Sequence, residues 1–318
     1  MEYPKCKHDA QTLRELQALP LGQKIFESRQ RIAEWIKIWG EDKVYVAFSG
    51  GKDSTVLLDL VRRDYPNVPA VFVNTGLEFP EIVKFVRSID NVTWIKPKMK
   101  FDEVIKHYGY PVISKEQSQF INEARNTKSD KLRDIRINGN KYGRGKVSKK
   151  WKFLLDAPFE VSHKCCDVMK KTPSKSYEKQ TGRKPILGTM AAESQLRRQK
   201  YIKEGCNAFE GNRPTSTPIA FWTDKDIWAY IKLRSVQYSE IYDMGEERTG
   251  CTFCMFGCHH DSPNRFQKMA RTHPKLHKHC MNKLGLKEVL EYCDIPTGCE
   301  IEKPKEAAGR MTQAEFDF

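Results

Sequence analysis

A short apolar run, a glycine-containing loop and an amphipathic segment follow one another between residues 43 and 63. Residues 43–48 are mostly β-prone, and residues 55–63 have apolar side chains at helical spacing. The loop between them consists of Ser49, Gly50, Gly51, Lys52, Asp53 and Ser54. Glycines let a backbone approach a ligand closely, and N–H groups at a helix N-terminus attract anions. The sequence therefore predicts a phosphate-binding loop, whose spacing excludes a conventional Walker loop.

The alternation of strand and helix recurs along the chain. A second β-prone run, residues 70–74, ends at Thr75 and Gly76 and precedes a helical pattern at residues 80–89. Further runs follow at residues 93–95 and 185–188, and a helical pattern at residues 224–231. This order predicts an α/β fold, with a parallel twisted sheet and helices on both of its faces. Ligands of such sheets bind at the carboxyl ends of the strands.

Composition suggests three segments. We expect an N-terminal helical segment over residues 1–40, a nucleotide-binding α/β domain over residues 41–235 and a Cys- and His-rich region over residues 236–318. No apolar stretch approaches the roughly 18 to 20 residues that span a bilayer, and the first residues lack the pattern of a secretory signal. We therefore expect a cytoplasmic protein that does not enter a membrane.

A basic stretch interrupts the α/β pattern at about residues 125–152. Its cations are Arg125, Lys128, Lys131, Arg133, Arg136, Lys141, Arg144, Lys146, Lys149, Lys150 and Lys152. We expect a flexible excursion, which is either a disordered solvated loop or a phosphate-backbone contact that orders on binding. The chain has 55 basic and 41 acidic residues, a net charge of +14 that attracts nucleotides, nucleic acid or other polyanions. A solvated basic surface explains the same composition.

The loop at residues 49–54 resembles the pyrophosphate loop of the PP-loop ATP pyrophosphatases. Other segments, in the same order, resemble the phosphoadenosine phosphosulfate (PAPS) reductase-like branch of that superfamily, whose fold is adenine-nucleotide α-hydrolase-like. They are residues 73–81, the Cys165-Cys166 pair with residues 170–173, residues 187–198, and residues 218–230. The match departs from the family pattern at Asn74, where Asp is usual, and at Met190 or Ala191, where Arg is usual.

This resemblance implies ATP and Mg²⁺ as cofactors. The loop, with Lys52 and Asp53 in catalytic roles, would hold the leaving pyrophosphate while a substrate oxygen attacks the α-phosphate, and Mg²⁺ would neutralise phosphate charge. Thr75 and Gly76 would face the adenosine. Arg197 or Arg198 would contact a phosphate or a sulfur-donor group through bidentate hydrogen bonds.

The cysteines are clustered, which points to metal or redox chemistry in a compartment that keeps thiols reduced. The pair Cys165-Cys166 and the motif Cys251-x-x-Cys254 resemble the ligand set of the cluster-bearing sulfonucleotide reductases, which implies a four-iron four-sulfur (4Fe-4S) cluster. Zn²⁺ is the alternative, since many N and S donors lie close together in the sequence. Those donors are Cys251, Cys254, Cys258, His259, His260, His273, His277 and Cys280.

Cys258 is the additional thiol in this set, and we expect it either to replace a cluster ligand or to carry a persulfide. Four other cysteines, Cys206, Cys280, Cys293 and Cys299, have weaker cases, and Cys6 is incidental. The reductases contain a Glu-Cys-Gly-Leu-His motif, whereas this sequence has Gly298-Cys299-Glu300. Their glycine loop is degenerate, and here it is intact.

Three functions follow from these features. The favoured one is an ATP-dependent sulfurtransferase that resembles the Dnd-type DNA phosphorothioation protein and the tRNA thiolases. It would adenylate an acceptor, tRNA or DNA, and insert sulfur from a donor such as a cysteine desulfurase. The alternatives are a PAPS or adenosine phosphosulfate reductase that makes sulfite, and a non-catalytic nucleotide- or DNA-binding module with a structural metal.

Overall fold

The computed structural model describes residues 8–299 and divides them into two compact units. The first unit comprises the described residues up to Phe101 together with Cys166–Cys251, and the second comprises Asp102–Cys165 together with the described residues from Thr252 on. Each unit is therefore built from two separate stretches of chain. These bounds differ from the three segments expected from composition.

The first unit contains a six-stranded sheet in the order β3-β2-β1-β4-β6-β5. All neighbouring strands are parallel except β5, which runs antiparallel to β6. The strands are β1 (Val44–Ala47), β2 (Ala70–Val73), β3 (Val92–Ile95), β4 (Lys184–Leu187), β5 (Asn207–Ala208) and β6 (Thr215–Ser216). The chain extends the sheet from β1 to β2 and β3 on one side and then returns to add β4 on the other. The carboxyl end of β1 is therefore a topological switch point, where α/β sheets bind their ligands.

Thirteen α-helices lie within the described residues. They are α1 (Ala10–Ala18), α2 (Leu21–Trp39), α3 (Lys52–Asp64), α4 (Pro80–Arg87), α5 (Phe101–Tyr108), α6 (Lys115–Asn126), α7 (Asp130–Asn138), α8 (Thr172–Thr181), α9 (Gln195–Glu204), α10 (Asp224–Arg234), α11 (Arg265–Thr272), α12 (Pro274–Lys278) and α13 (Leu286–Tyr292). A 3₁₀ segment spans Lys149–Asp156, and π-helical turns span Asp167–Lys171 and His279–Lys283. None of the described helices is long and apolar enough to cross a membrane.

The core of the first unit lies between the sheet and its helices. The β1 side chains Val44 and Val46 are fully buried, as is Val56 of α3. On α2 the apolar residues recur every three or four positions, so that Ile32 and Trp35 are buried on one face. The sequence prediction of an α/β fold with a parallel sheet is confirmed.

The second unit joins residues 102–165 to the Cys- and His-rich region. The Tyr110 hydroxyl donates to the Leu284 carbonyl at 3.1 Å, and the Gly257 amide donates to the Ile113 carbonyl at 2.8 Å. The rings of Phe159 and Tyr292 meet edge to face with centroids 5.4 Å apart. The expectation of a flexible excursion at residues 125–152 is wrong in part, because α7 lies within this stretch and the 3₁₀ segment begins in it. Ser129 is the N-cap of α7, and its side chain accepts a hydrogen bond from the Leu132 amide, which stabilises the start of this helix.

Candidate active site

The glycine loop connects β1 to α3 in the first unit. Gly50 has φ +74°, and a Cβ added there would lie 2.7 Å from Val86 Cγ2, so only glycine fits both the conformation and the space. The Ser49 amide donates to Ser54 Oγ at 3.1 Å, and Ser54 Oγ donates to the Gly51 carbonyl at 2.9 Å. These bonds fix the loop just before α3, so the N–H groups of the first turn face the switch point.

Lys52, the first residue of α3, is almost fully buried. Its Nζ lies 2.7 Å from Asp224 Oδ1 and 3.5 Å from Asp53 Oδ1, and it donates to the Glu247 carbonyl at 3.3 Å. Burial by itself would lower the pKa of the ammonium, but the hydrogen bond to Asp224 and the charge of Asp53 outweigh burial and raise that pKa. Lys52 is therefore a fixed positive charge at the loop.

Asp53 is the acidic residue beside this charge. Burial raises the pKa of its carboxyl, although the Lys52 ammonium opposes that effect. Its Oδ1 is buried and, apart from the Lys52 ammonium 3.5 Å away, has no polar partner within residues 8–299. An oxygen ligand with spare capacity next to a phosphate loop suits Mg²⁺, which binds few carboxylates and keeps phosphate oxygens as its other ligands.

A distant segment, residues 242–249, lies directly on the loop. The Lys52 amide donates to the Tyr242 hydroxyl at 2.8 Å, and a Cβ added to Gly51 would lie 2.6 Å from Thr249 Oγ1. Tyr242 and Thr249 hydroxyl oxygens are 3.3 Å apart. The first N–H of α3 is thus bonded to the protein's own tyrosine in this structure. Sequence analysis missed this segment, because 190 residues separate it from the loop.

A cavity of about 150 Å³ opens at the carboxyl ends of β1 and β2. Its walls are mostly apolar, with Phe48, Val71 and Ile82 among them, and Ser49 is one of its few polar residues. Glu78, Lys170, Ser174 and Thr249 supply the other polar groups. An apolar pocket with a few convergent polar groups at a switch point is the usual form of a small-molecule site.

Thr75 and Gly76 form a turn beside this cavity. The Thr75 hydroxyl donates to Glu78 Oε1 at 2.6 Å, and the Thr75 amide donates to the other oxygen of that carboxylate at 3.1 Å. The Gly76 amide donates to Asn74 Oδ1 at 3.1 Å. Asn74 Oδ1 therefore accepts the hydrogen bond that an Asp side chain accepts in such turns. The presence of Asn instead of the usual Asp leaves the turn intact.

Lys170 connects the cavity to two of the predicted metal ligands. Its ammonium is hydrogen-bonded to the Cys251 thiol and lies near Cys166 and Glu78. Burial by itself would lower the pKa of Lys170, and Cys251 and Glu78 raise it overall. Burial raises the pKa of the Cys251 thiol, and the Lys170 charge opposes this increase. Sequence analysis included Lys170 in a segment that resembles the family but assigned no role to this residue. Its position four residues after Cys166, one helical turn away, was the available signal.

The two predicted arginines differ in their surroundings. Arg197 forms an ion pair with Glu193, and Arg248 lies 3.7 Å from the same carboxylate. Asp53 of the loop also interacts electrostatically with Arg197. Arg198 forms no ion pair or side-chain hydrogen bond with any residue that the structure describes. Arg197 therefore has an electrostatic interaction with the loop, and the assignment of either arginine to a ligand stays a prediction.

The nine described cysteines are all thiols, without a disulfide among them. Cys166 and Cys251 belong to the first unit, and Cys165 and Cys254 belong to the second. Among residues 8–299, no three side chains of His, Cys, Asp or Glu are arranged to hold a metal ion. The four-thiolate ligand set and its Zn²⁺ alternative stay predictions. Cys6 lies outside the described residues.

Cys258 is buried in the second unit. Burial raises the pKa of its thiol to about 12, against the opposing charge of Arg265. It lines a cavity of about 270 Å³ together with Cys293 and His259. A thiol with this pKa is protonated at neutral pH and is a weak nucleophile. His277, a candidate Zn²⁺ ligand, is buried and hydrogen-bonded through Nε2 to the Thr297 carbonyl at 2.7 Å, as structural core histidines often are.

Comparison with known proteins places this geometry in a family. The model of the phosphoadenosine phosphosulfate reductase domain matches residues 43–135 and 92–256. The chain belongs to the PAPS reductase domain family. This match covers the sheet, the loop and every residue around the cavity, and it confirms the resemblance inferred from the motifs.

Individual relatives of this PAPS reductase domain protein are distant. A Methanocaldococcus jannaschii protein, MJ0973, is 27% identical over 216 residues, which are 66% of this chain and 41% of the relative. The chain thus spans about two fifths of that relative. The adenosine 5′-phosphosulfate reductase of Geobacillus kaustophilus is 26% identical over 221 residues, covering 68% of this chain and 74% of the enzyme. Among solved structures, the PAPS reductase of Candida auris is 17% identical, with a TM-score of 0.43 over 76% of this chain and 95% of that chain.

Proposed function

We propose that this protein is an ATP-dependent sulfurtransferase. It cleaves ATP between the α- and β-phosphates, transfers AMP to an oxygen of an acceptor and replaces that oxygen by sulfur. The observation that carries the proposal is the intact glycine loop at the switch point, with the Lys52 charge fixed at its end. A loop of this kind is suited to hold a leaving pyrophosphate.

The loop residues have distinct roles in this reaction. The N–H groups of the first turn of α3 and the Lys52 ammonium stabilise the charge that develops on pyrophosphate. Asp53, whose buried Oδ1 lies 3.5 Å from the Lys52 ammonium, would hold Mg²⁺, which would neutralise phosphate charge. The turn at Thr75 and Gly76 faces the adenosine, and Arg197 contacts a phosphate.

The insertion of sulfur from hydrosulfide needs no added oxidant, because the sulfur keeps its oxidation state. The acceptor oxygen attacks the α-phosphorus and pyrophosphate leaves, and hydrosulfide then attacks the acceptor carbon and AMP leaves with the original oxygen. A donor such as a cysteine desulfurase would supply the sulfur as a persulfide, and two thiols of a reductant would release it as hydrosulfide while they form a disulfide. Lys170 would orient the Cys251 thiol, because it lines the cavity and is hydrogen-bonded to that thiol.

A 4Fe-4S cluster is part of the proposal. Cys165, Cys166, Cys251 and Cys254 would hold it, and it would supply a redox-active centre that also binds sulfide. The shared interaction of Cys166 and Cys251 with Lys170 fits this assignment, since a nearby cation favours thiolates. Cys258, whose pKa is strongly raised, fits a persulfide carrier less well.

The acceptor proposed is a nucleic acid, tRNA or DNA. The net charge of +14 supports it, because polyanions are attracted by such a field. The basic stretch at residues 125–152 provides the corresponding surface.

The test is an anaerobic assay with ATP, Mg²⁺, hydrosulfide and mixed tRNA or DNA. We expect release of pyrophosphate, and mass spectrometry of the digested acceptor should find a nucleoside with sulfur in place of oxygen. Replacement of Lys52 by Ala should reduce pyrophosphate release on the order of 100- to 1,000-fold. Lys179→Ala, a surface change of equal charge, should have no effect.

A second candidate is reduction of a sulfonucleotide, which the name of the Geobacillus kaustophilus relative favours. In that case adenosine phosphosulfate or PAPS with a thiol reductant would yield sulfite, and ATP with nucleic acid would yield no pyrophosphate. This outcome would exclude the sulfurtransferase.

A further inference from the structure

The second unit contains an exposed basic loop, residues 139–153, which the reaction proposed above does not explain in detail. It has six exposed cations: Lys141, Arg144, Lys146, Lys149, Lys150 and Lys152. No acidic residue occurs between Asp134 and Asp156. Within residues 8–299, none of the six forms an ion pair. Their charges repel one another, so an anionic partner is favoured.

Three arginines just before this loop behave differently, although Lys128 and Lys131 in the same stretch are exposed and form no ion pair within residues 8–299. Arg125 pairs with Glu160 at 3.0 Å, Arg133 pairs with Asp130 at 2.9 Å, and the third, Arg136, has its partner in Glu123 at 2.6 Å. Basic residues that support the fold of this unit thus have acidic partners. The six cations of the basic loop are unlike them, and this difference argues against a merely structural role.

The basic loop also has a defined shape. Asn140 Oδ1 accepts hydrogen bonds from the amides of Tyr142 and Arg144 at 2.9 and 3.0 Å, which closes the turn. Val147 is fully buried, and its amide donates to the Arg136 carbonyl at 2.8 Å. The Arg136 guanidinium in turn donates to the Gly145 carbonyl at 2.7 Å. The cations are therefore presented on an anchored turn, which lowers the entropy lost when a partner binds.

An aromatic ring stands at the tip of this turn. Tyr142 is 71% exposed, and Lys141 Nζ lies 4.9 Å from the centre of its ring. A large aromatic ring that is exposed to solvent can serve as a stacking surface. In proteins that bind single strands, an unpaired base stacks on such a ring while a nearby cation contacts the phosphate. Paired bases in a duplex leave no face for this contact.

We propose that the basic loop binds single-stranded nucleic acid, with Lys141, Arg144 and Lys146 at phosphates and Tyr142 stacked on an unpaired base. The proposal rests on the proposed function for the identity of the acceptor. Its test is a binding measurement, which needs no turnover and no sulfur donor.

The first experiment measures binding of a fluorescein-labelled, unstructured oligonucleotide by anisotropy at several salt concentrations. The triple variant Lys141→Ala, Arg144→Ala, Lys146→Ala should bind at least tenfold more weakly near 0.1 M salt. The slope of log Kd against log salt should fall by about 2, since each phosphate contact to a single strand contributes about 0.7. The control removes three exposed lysines of the first unit, Lys179, Lys203 and Lys225, and should bind as the parent does.

The second experiment separates stacking from charge. Tyr142→Ala should weaken binding roughly fivefold or more and leave the salt slope unchanged, whereas Tyr142→Phe should bind as the parent does. Circular dichroism and the thermal midpoint establish that each variant is folded.

Three results would overturn the proposal. The first is equal oligonucleotide binding by the two triple variants. The second is tighter binding of a duplex than of a single strand of the same sequence. The third is a Lys141 triple variant that loses affinity for phosphatidylserine vesicles and keeps its affinity for oligonucleotides. If oligonucleotide binding depends on the basic loop but no pyrophosphate is released with any acceptor, the surface stands and the proposed reaction fails.

Discussion

Lys52 illustrates how one charge is held for a ligand by residues far away in sequence. The loop pattern predicted that Lys52 and Asp53 would lie at the switch point, because a strand, two glycines and a helix define that geometry locally. The pattern could not predict Asp224, which bonds to the Lys52 ammonium, or Lys170, which bonds to Cys251. Both contacts depend on the order of the strands in the sheet, which no local pattern encodes.

In the proposed reaction, Asp224 competes with phosphate for the Lys52 ammonium. We predict that Asp224→Asn lowers the Kd for ATP by about twofold to fivefold, since Asp224 is exposed to solvent and its charge is therefore screened. Calorimetric titration measures this change. Asp42→Asn is the control, since Asp42 is exposed and contacts Lys43 instead. An unchanged or higher Kd for Asp224→Asn would contradict the assignment of Lys52 to phosphate.

Lys24 and Asp226 form a second ion pair, 2.7 Å long, in which the lysine is almost completely buried. Burial by itself would raise the pKa of the Asp226 carboxyl, but hydrogen bonds from Lys24 and Thr223 lower it overall. A lowered pKa in the folded state stabilises the protein above the pKa of the unfolded carboxyl, and this contribution is lost as the pH falls through the folded value.

We therefore predict that Asp226→Asn destabilises the protein by about 3 kcal/mol at pH 7, since it leaves Lys24 buried without its anion. The difference from the parent should shrink as the pH falls below about 4. Urea unfolding at several pH values measures it. A difference that does not depend on pH would show that Asp226 acts through its shape alone.

At the scale of elements, the contact between the end of β4 and the first turn of α3 fixes the loop. A Cβ added to Gly188, the residue after β4, would lie 3.1 Å from Asp53 O and from Ser54 Cα. Both neighbours are backbone atoms, which cannot move without displacing the helix. Sequence analysis predicted β1, β4 and α3, but it could not predict this close approach, since it follows from the pairing of β1 with β4.

We predict that Gly188→Ala destabilises the protein by about 1–3 kcal/mol and weakens ATP binding, because it displaces the first turn of α3. Gly22→Ala is a matched control, since no atom lies within 4 Å of its added Cβ and alanine favours the helix α2. Urea unfolding and calorimetry measure both effects. Equal stability of the two variants would refute the role of this contact.

At the scale of the whole molecule, two compact units are built from interleaved stretches of chain. The order of strands and helices predicted the fold of the first unit. It did not predict that residues 102–165 would join the Cys- and His-rich region, because this association depends on long-range contacts such as Tyr110 with Leu284. The family match ends at residue 256, before α11, α12 and α13.

A chain that ends at residue 256 should therefore lose the structure of the second unit. Its remaining stretch would expose more of the Phe153 and Phe159 rings, which pack against Tyr292 in the full chain. We expect rapid proteolysis within residues 102–165 and increased dye binding to apolar surface, with the full chain as control. Resistance to protease equal to that of the full chain would contradict this.

The hydrogen bond from the Lys52 amide to the Tyr242 hydroxyl occupies the first N–H of α3. A phosphate that takes this N–H must first displace the hydroxyl, so the ATP binding that we propose would exchange one partner of the amide for another. The measured affinity is then weaker than the intrinsic affinity of the uncovered loop by the free energy of uncovering it. The Trp228 ring lies 5.5 Å from the Tyr242 ring, edge to face. Its fluorescence therefore gives the protein a built-in optical signal for that exchange.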